Sequence, residues 1–389
     1  MLPTLLRRLH AFSRRLVVRV ALIAALAFLA LALSKLGARV IPEGLDPLVG
    51  GEAVDNILKI IANSMLTVTT FSLTVMAAAH RMVASSWTPR AHQMLLQDTV
   101  THTVLATFVG AYLYALSAII LRDLEVFQGR GLMVLFGMTL LVVALIVVAI
   151  IRWISHLEML GSLINTAQRI EESTIEAMRM RMCHPALGAH ALDPEKIPEG
   201  AEEVRADKSG YLQQLFQDRL QTAAEHHDAR IWLLHPVGGF VHRGEVLARI
   251  SGGGEALAGK LRENAVLGSL RNFDQDPGFG LTCLSEIGVR ALSPGVNDPG
   301  TALDVLHRIL RIFLDTEGEA PDEVRLDRLY LPALDRASLL IEALRPLLLD
   351  GKDRPELQTP FTRALQALGE QDDPALSESA RALGKDFRT

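Results

Sequence analysis

Twenty consecutive residues from Leu132 to Ile151 carry no charge and offer only Thr139 as a side-chain hydrogen-bonding group. As a helix, at about 1.5 Å per residue, this run measures roughly 30 Å, the thickness of a bilayer's hydrocarbon core. A helix also pairs its own backbone groups, which that medium demands. Three further apolar stretches precede it, at about 16–34, 58–79 and 101–121, and no later stretch compares. The pattern predicts an integral membrane α-helical bundle of four transmembrane helices over residues 1–152. The hydrophilic remainder then forms a separate domain.

Charge sets the expected orientation. Arg7, Arg8, Arg14, Arg15 and Arg19 open the chain with no acid among them, which places the N-terminus in the cytoplasm by the positive-inside rule. A basic start before an apolar run also resembles a signal peptide, but the long run favours a retained anchor. Four crossings return the C-terminus to the cytoplasmic side. Arg81 and Arg90, on either side of Trp87-Thr88-Pro89, agree with an inner loop between the second and third spans. Lys35 to Ile57, with Pro42, Gly44, Asp46 and Pro47, reads as an outer loop. Arg152 and Trp153 supply an interface anchor after the fourth span.

Beyond Trp153 the helical pattern runs on to about Met182 as an exit helix. The stretch 184–210, with Pro185, Gly188, Pro194 and Pro198, reads as a linker, so 153–209 is assigned as exit helix and linker. Alternating runs at Gly210–Leu212, Arg230–Leu234, Phe240–His242 and Val246–Ile250 predict a small β-rich module over 210–252, with a helix at 215–226. Helical periodicity returns from 253 to 389, with helices expected at 278–291, 300–314, 332–349, 356–369 and 374–385. The fold class is thus a membrane bundle followed by a cytosolic α+β domain whose C-terminal part is helical.

Several functions lack the residues they need. Aromatic content of 5% and a net charge of -5 give no nucleic-acid footprint. Cys183 and Cys283 stand alone, as thiols in a reduced compartment rather than a disulfide or zinc set. No phosphate loop, nucleophile elbow, zinc-protease helix or dinucleotide fingerprint occurs. Glu171, Glu172 and Glu176 read as a solvated helix face. His80, His92, His102 and His156 match no ligand spacing. No enzyme, cofactor or metal is expected.

Two features remain. In the second stretch Asn63, Thr67, Thr70 and Thr74 recur at offsets of four, three and four, which places them on one helical face, with Lys59 and Arg81 extending it. Polar groups inside a membrane usually face a cavity or another helix, so the stripe could line a wet path whose basic mouths favour an ion or small anion. The same threonines could instead bond their own backbone and merely pack. In the third stretch Ala106/Gly110 and Ala111/Ala115 are small-xxx-small pairs suited to close packing within or between copies. Among the hydrophilic residues, Ser293, Pro294, Asn297, Asp298 and Pro299 join two expected helices, and Asp298 before Pro299 has the chemistry of a helix N-cap.

Two passages carry a family likeness. Ser85-Ser86-Trp87-Thr88-Pro89-Arg90 with Asp98 and Leu105–Gly110, and Phe279-Gly280-Leu281 through Arg290–Thr301, resemble the uncharacterised bacterial membrane-protein family numbered 2254 among the domains of unknown function. Glu286 and Gly300 stand where that family more usually has Asp and Thr. The resemblance implies a bacterial inner-membrane protein and brings no catalytic residues. The leading expectation is a homo-oligomeric channel or transport-like pore in the lipid bilayer, with a cytosolic gating or assembly domain. The alternative is a membrane-tethered sensory or partner-binding module.

Overall fold

The computed structural model describes residues 16–26, 28–29, 32–33, 51–86, 88–90, 99–127, 130–157, 163–316 and 324–388. It divides into two compact units: Met1–Ser86 with Leu95–Ser162, and Trp87–Met94 with Leu163–Thr389. The basic residues Arg7, Arg8, Arg14 and Arg15, most of the expected outer loop, Trp87 and His92 lie outside the described residues.

The first unit is helical: α1 (Leu16–Ala24), α2 (Gly51–Ser86), α3 (Thr99–Asp123) and α4 (Arg130–Leu157). Three segments, Gly51–Ala79, Val100–Asp123 and Gly131–Leu157, are long and apolar enough to cross a membrane. They coincide with the second, third and fourth apolar stretches. For the first stretch, helical hydrogen bonds continue past α1 as far as Leu29 N, but its remainder is outside the described residues. Among the described residues, then, three crossing helices are found rather than four. Residues 51–57, expected in the outer loop, belong to α2. Glu52 sits in its first turn, where an acid complements the helix dipole, and Asp55 approaches Arg122 of α3 at 3.4 Å. These polar groups interrupt the apolar run that marks the span in the sequence.

The central helix is α3, which packs against α1, α2 and α4. Its small residues Ala106, Gly110, Ala111 and Ala115 are all buried, and a Cβ at Gly110 would collide with Ile23 of the first stretch. The small-xxx-small pairs therefore serve packing within the unit. Thr139, the lone hydroxyl of the most apolar span, donates to the Leu135 carbonyl at 2.8 Å and meets the Tyr114 hydroxyl at 3.0 Å. Leu141, Leu145, Val148 and Ile151 of α4 stay exposed, as lipid-facing residues should.

The larger part of the second unit opens with α5 (Leu163–Cys183). It continues through β1 (Ala189–Ala191), β2 (Glu202–Arg205), β3 (Gly210–Leu215), α6 (Gln217–His226), β4 (Arg230–Leu233), β5 (Phe240–Val241), β6 (Val246–Ser251), α7 (Gly254–Asn264) and β7 (Ala265–Gly268). Then come α8 (Pro277–Leu292), α9 (Pro299–Leu314), β8 (Leu326–Leu331), α10 (Arg336–Gly351), α11 (Pro355–Gly369) and α12 (Pro374–Arg388).

Five strands form a mixed sheet in the order β1-β8-β4-β6-β2, with β8 parallel to both β1 and β4; a second sheet has the order β5-β3-β7. Strands from outside 210–252 thus complete both sheets, and residues 184–210, expected as a linker, contain β1 and β2. One sheet face, with Ile231, Leu233, Ile250 and Leu329, is buried with Leu220 of α6 and Leu257 of α7 in one core. Across the other face a register row runs His190, Tyr330, Trp232, Arg249, Glu203 over all five strands. Its rings stack at centroid distances of 5.0 Å for His190–Tyr330 and 5.3 Å for Trp232–Tyr330.

In the helical part α8 is buried along most of its length and packs on α5, α9 and α10. Gly280 lets α5 approach, because a Cβ there would collide with Thr174. Between α5 and α9 lies a buried charge cluster. Glu171, only 4% exposed, accepts from Arg308 Nη1 at 2.6 Å and from Arg311 Nε at 2.6 Å, and Arg308 Nε donates to Asp304 at 2.6 Å. This corrects the reading of Glu171 as part of a solvated face. Its position one residue after Ile170 turns it toward α9, where Arg308 supplies the opposite charge.

Breaking a buried pair leaves an uncompensated charge and costs about 3 kcal/mol or more, whereas replacing both partners by apolar residues costs far less. Glu171→Leu should therefore loosen the α5–α9 contact, read as faster amide hydrogen exchange in both helices. The double change Glu171→Leu with Arg308→Leu should recover most of the protection.

Candidate functional site

The membrane stripe is built on α2, whose 36 residues give it about ten turns. Val54, Leu58, Ile61, Met65 and Ser72 form its buried face. At about 100° per residue, Lys59, Asn63, Thr67, Thr70, Thr74 and Arg81 cluster roughly 160° away from that face, and all six are exposed on the isolated chain. The flanks are apolar, with Leu66 and Leu73 on one side and Ile60 and Phe71 on the other.

Hydrogen bonding divides the stripe into two kinds of residue. The three threonines donate to the carbonyl four residues back, at 3.2 Å from Thr67 to Asn63, 2.8 Å from Thr70 to Leu66 and 2.9 Å from Thr74 to Thr70. Arg81 Nε reaches the Ala77 carbonyl at 3.3 Å. The Asn63 amide and the Lys59 ammonium make no hydrogen bond or ion pair among the described residues. Asn63 lies about 18 Å along the helix from Gly51, well inside the crossing segment.

The loop from Ser293 to Pro299 joins α8 to α9 on the surface of the second unit. Asn297 takes the left-handed conformation with φ 50°, which asparagine tolerates better than most residues. Asp298 then caps α9, accepting from Thr301 N at 3.0 Å and from the Thr301 hydroxyl at 2.5 Å, while its own N–H donates to the Ala291 carbonyl at 2.8 Å. Pro299 occupies the first turn, where its missing N–H costs nothing. Arg354 completes the loop, donating to Asn297 Oδ1 at 2.8 Å and to the Leu292 carbonyl at 2.6 Å. Sequence reasoning missed Arg354, since it stands in a charged run with no spacing that ties it to Asn297.

Of the four histidines His80, His92, His102 and His156, the side chains of two are described. His156 is buried with its ring 3.1 Å from the Thr101 hydroxyl, His102 is exposed, and the His80 and His92 side chains are outside the described residues. Among the described residues no group of three His, Cys, Asp or Glu side chains is placed to hold a metal ion. Cys183 and Cys283 are free thiols, and burial pushes Cys283 up to about 12, against the opposing influence of Arg271 and Arg90. It stays a protonated, unreactive thiol at neutral pH. Burial likewise lowers Arg181 to about 10, with Asp276 opposing; its Nη2 binds the Pro185 carbonyl at 2.8 Å.

Three helices fit to cross a bilayer and a mixed helix-and-sheet domain define a membrane protein. The chain belongs to the family described as predicted membrane protein (DUF2254), matched over residues 12–367. It is similar to Uncharacterized protein Mb1321c of Mycobacterium bovis and to Uncharacterized protein Rv1290c of Mycobacterium tuberculosis, at 25% identity over 334 residues in each case. The alignments cover 81% of this chain and 63% of each curated relative. No solved structure matches the chain.

Hydrogen bonds from Thr301, side chain first and then backbone, hold the Asp298 carboxyl below its ordinary 3.8. A depressed carboxylate contributes stability that is complete above the unfolded value and is lost as pH falls through the folded one. Asp298→Ala should cost about 1 kcal/mol at neutral pH. The gap between wild type and variant, followed as hydrogen exchange at the start of α9, should close below about pH 4.

Proposed function

We propose that the chain is a multi-pass protein of the bacterial inner membrane that assembles as a homo-oligomer around the polar face of α2. In this reading the first apolar stretch makes a fourth crossing, and both termini are cytoplasmic. The α2 face lines a water-filled path for an ion or small anion, and the second unit acts as a cytosolic gate or assembly collar. One observation carries the proposal: the stripe points away from the core of its own unit. A lipid-facing asparagine in mid-span, with an unpaired amide, is unfavourable, so a second copy or water should cover it. Lys59 and Arg81 near the two ends of the stripe give the path its preference for anions.

A second reading has its own support. The three threonines satisfy their hydroxyls on their own helix, so most of the stripe tolerates a dry contact. The protein would then be a membrane-tethered sensory or partner-binding module without transport. Neither reading includes an enzymatic step or a cofactor.

The two diverge at Asn63 and Thr70. With assembly intact in mild detergent, Asn63→Leu and Thr70→Leu should reduce ion flux through reconstituted liposomes by about tenfold, and Lys59→Glu should shift selectivity toward cations. Unchanged flux alongside partner capture by the cytosolic unit would favour the module. A monomeric protein that passes no ions across a range of pH and salt would end the pore reading.

A further inference from the structure

Three residues of the first family passage, Thr88–Arg90, meet the second passage within the second unit. Thr88–Arg90, although they lie in the chain between two membrane helices, group with this unit. Together with Phe279 and Glu286 of α8, Tyr211 of β3 and Ser269–Arg271 after β7, they line a cleft of about 530 Å³. Its charged walls are two guanidinium groups, Arg90 and Arg271, against one carboxylate, Glu286. Arg90 and Glu286 form an ion pair across the cleft.

Arg271 is held rigidly. Its Nε and Nη2 donate to Asp276 at 2.7 and 2.8 Å, and its guanidinium lies 5.5 Å from the centre of the Phe279 ring. Asp276 in turn caps α8, accepting from Phe279 N at 3.1 Å. Asp276 is thus consumed by Arg271 and by the helix, while Arg271 Nη1 keeps its donors. The hydroxyls of Tyr211 and Ser269, also on the cleft wall, have no protein partner among the described residues. The groups left for a ligand are thus the Arg271 Nη1 donors and two hydroxyls that can donate or accept, with Arg90 available once Glu286 is displaced. The volume lies in the range of small-ligand sites, and the exposed Leu270 gives the cleft an apolar wall.

We propose that this cleft binds a phosphate-type oxyanion, free or as a phosphate ester, with Arg90 and Arg271 as its cationic partners and the Tyr211 and Ser269 hydroxyls as neutral donors. Glu286 is a built-in competitor, because it occupies Arg90 when the ligand is absent. Charge-assisted hydrogen bonds of this kind are short and strong, and arginine suits the planar faces of phosphate. The site is independent of whether α2 lines a pore.

The test is calorimetric titration of the full chain in a neutral detergent with two probes, inorganic phosphate and a soluble short-chain phosphatidate. Saturation by inorganic phosphate supports the site and points to a free anion; saturation by phosphatidate alone supports it and points to a lipid headgroup. Arg90→Gln should weaken the bound probe by about tenfold, and Tyr211→Phe, which removes one hydroxyl only, by about threefold. Glu286→Gln should tighten it by about threefold or more, a gain that a purely structural role for Glu286 does not produce. No saturable binding of either probe up to about 10 mM, where a millimolar site would fill, overturns the proposal. Equal affinity in wild type, Arg90→Gln and Glu286→Gln overturns it as well.

Discussion

Hydrocarbon supplies no hydrogen bonds, and most of the first unit's structure follows from that single constraint. It fixes the helices at 24 residues or more, since shorter ones do not span the core. It sends the α2 threonines back to their own carbonyls and gives Thr139 both a carbonyl and a tyrosine hydroxyl. It also removes the hydrophobic effect as a force between helices, leaving close packing to hold them. The buried alanines and Gly110 of α3 meet that need by letting backbones approach. Against this background the Asn63 amide stands out, exposed in mid-span without a partner among the described residues, although Ser72 Oγ and Trp153 Nε1 are also unpartnered and lie buried inside the unit. What sets Asn63 apart from Ser72 and Trp153 is that its polar group faces outward, where water or a second copy can reach it.

The second unit follows a different economy, that of a mixed helix-and-sheet domain with a sheet covered on one face by α6 and α7. Its interior nevertheless keeps charges. Glu171 is buried with Arg308 and is also met by the exposed Arg311, and buried Arg181 gives its two terminal nitrogens to three backbone carbonyls while its Nε has no partner among the described residues. Arg181 links the end of α5 to the segment before α8 and to the end of β8. Such groups act less as sources of stability than as register marks, since a misplaced helix would strand a charge.

Legibility in the sequence followed the same division between local and distant causes. Helix α9 announces itself through Asp298-Pro299, because an N-cap is a contact among residues three apart; periodicity found α8 and α10, but the caps Asp276 and Asp335 went unread and α10 was expected to start at 332 rather than at Arg336. The strands β3, β4 and β6 were readable from alternation. By contrast β1 has three residues, and β2 buries only Val204 of Glu202–Arg205, so neither shows a period. β8 pairs in parallel with strands far away in the chain and has no hairpin turn to mark it. The stripe on α2 was legible because it is periodic. Glu171 and Arg354 were not, because their partners lie 137 and 57 residues distant.

This contrast explains what the second family passage encodes. Read as a string, Ala291 to Pro299 looks like a loop motif, yet each of its polar contacts serves a helix end. Asp298 N binds the last turn of α8 while its carboxylate starts α9, and Arg354 ties both to the turn before α11. At the opposite end of α8, Asp276 and Arg271 do the same work. A helix buried along most of its length cannot slide without moving α5, α9 and α10 with it, and Gly280 and Gly288 allow those neighbours close contact at only one register. Fixing both ends of α8 therefore fixes the helical half of the domain, and places Phe279 and Glu286 where the Thr88–Arg90 turn meets them. The loop string and the distant turn belong to one requirement: the position of a single helix.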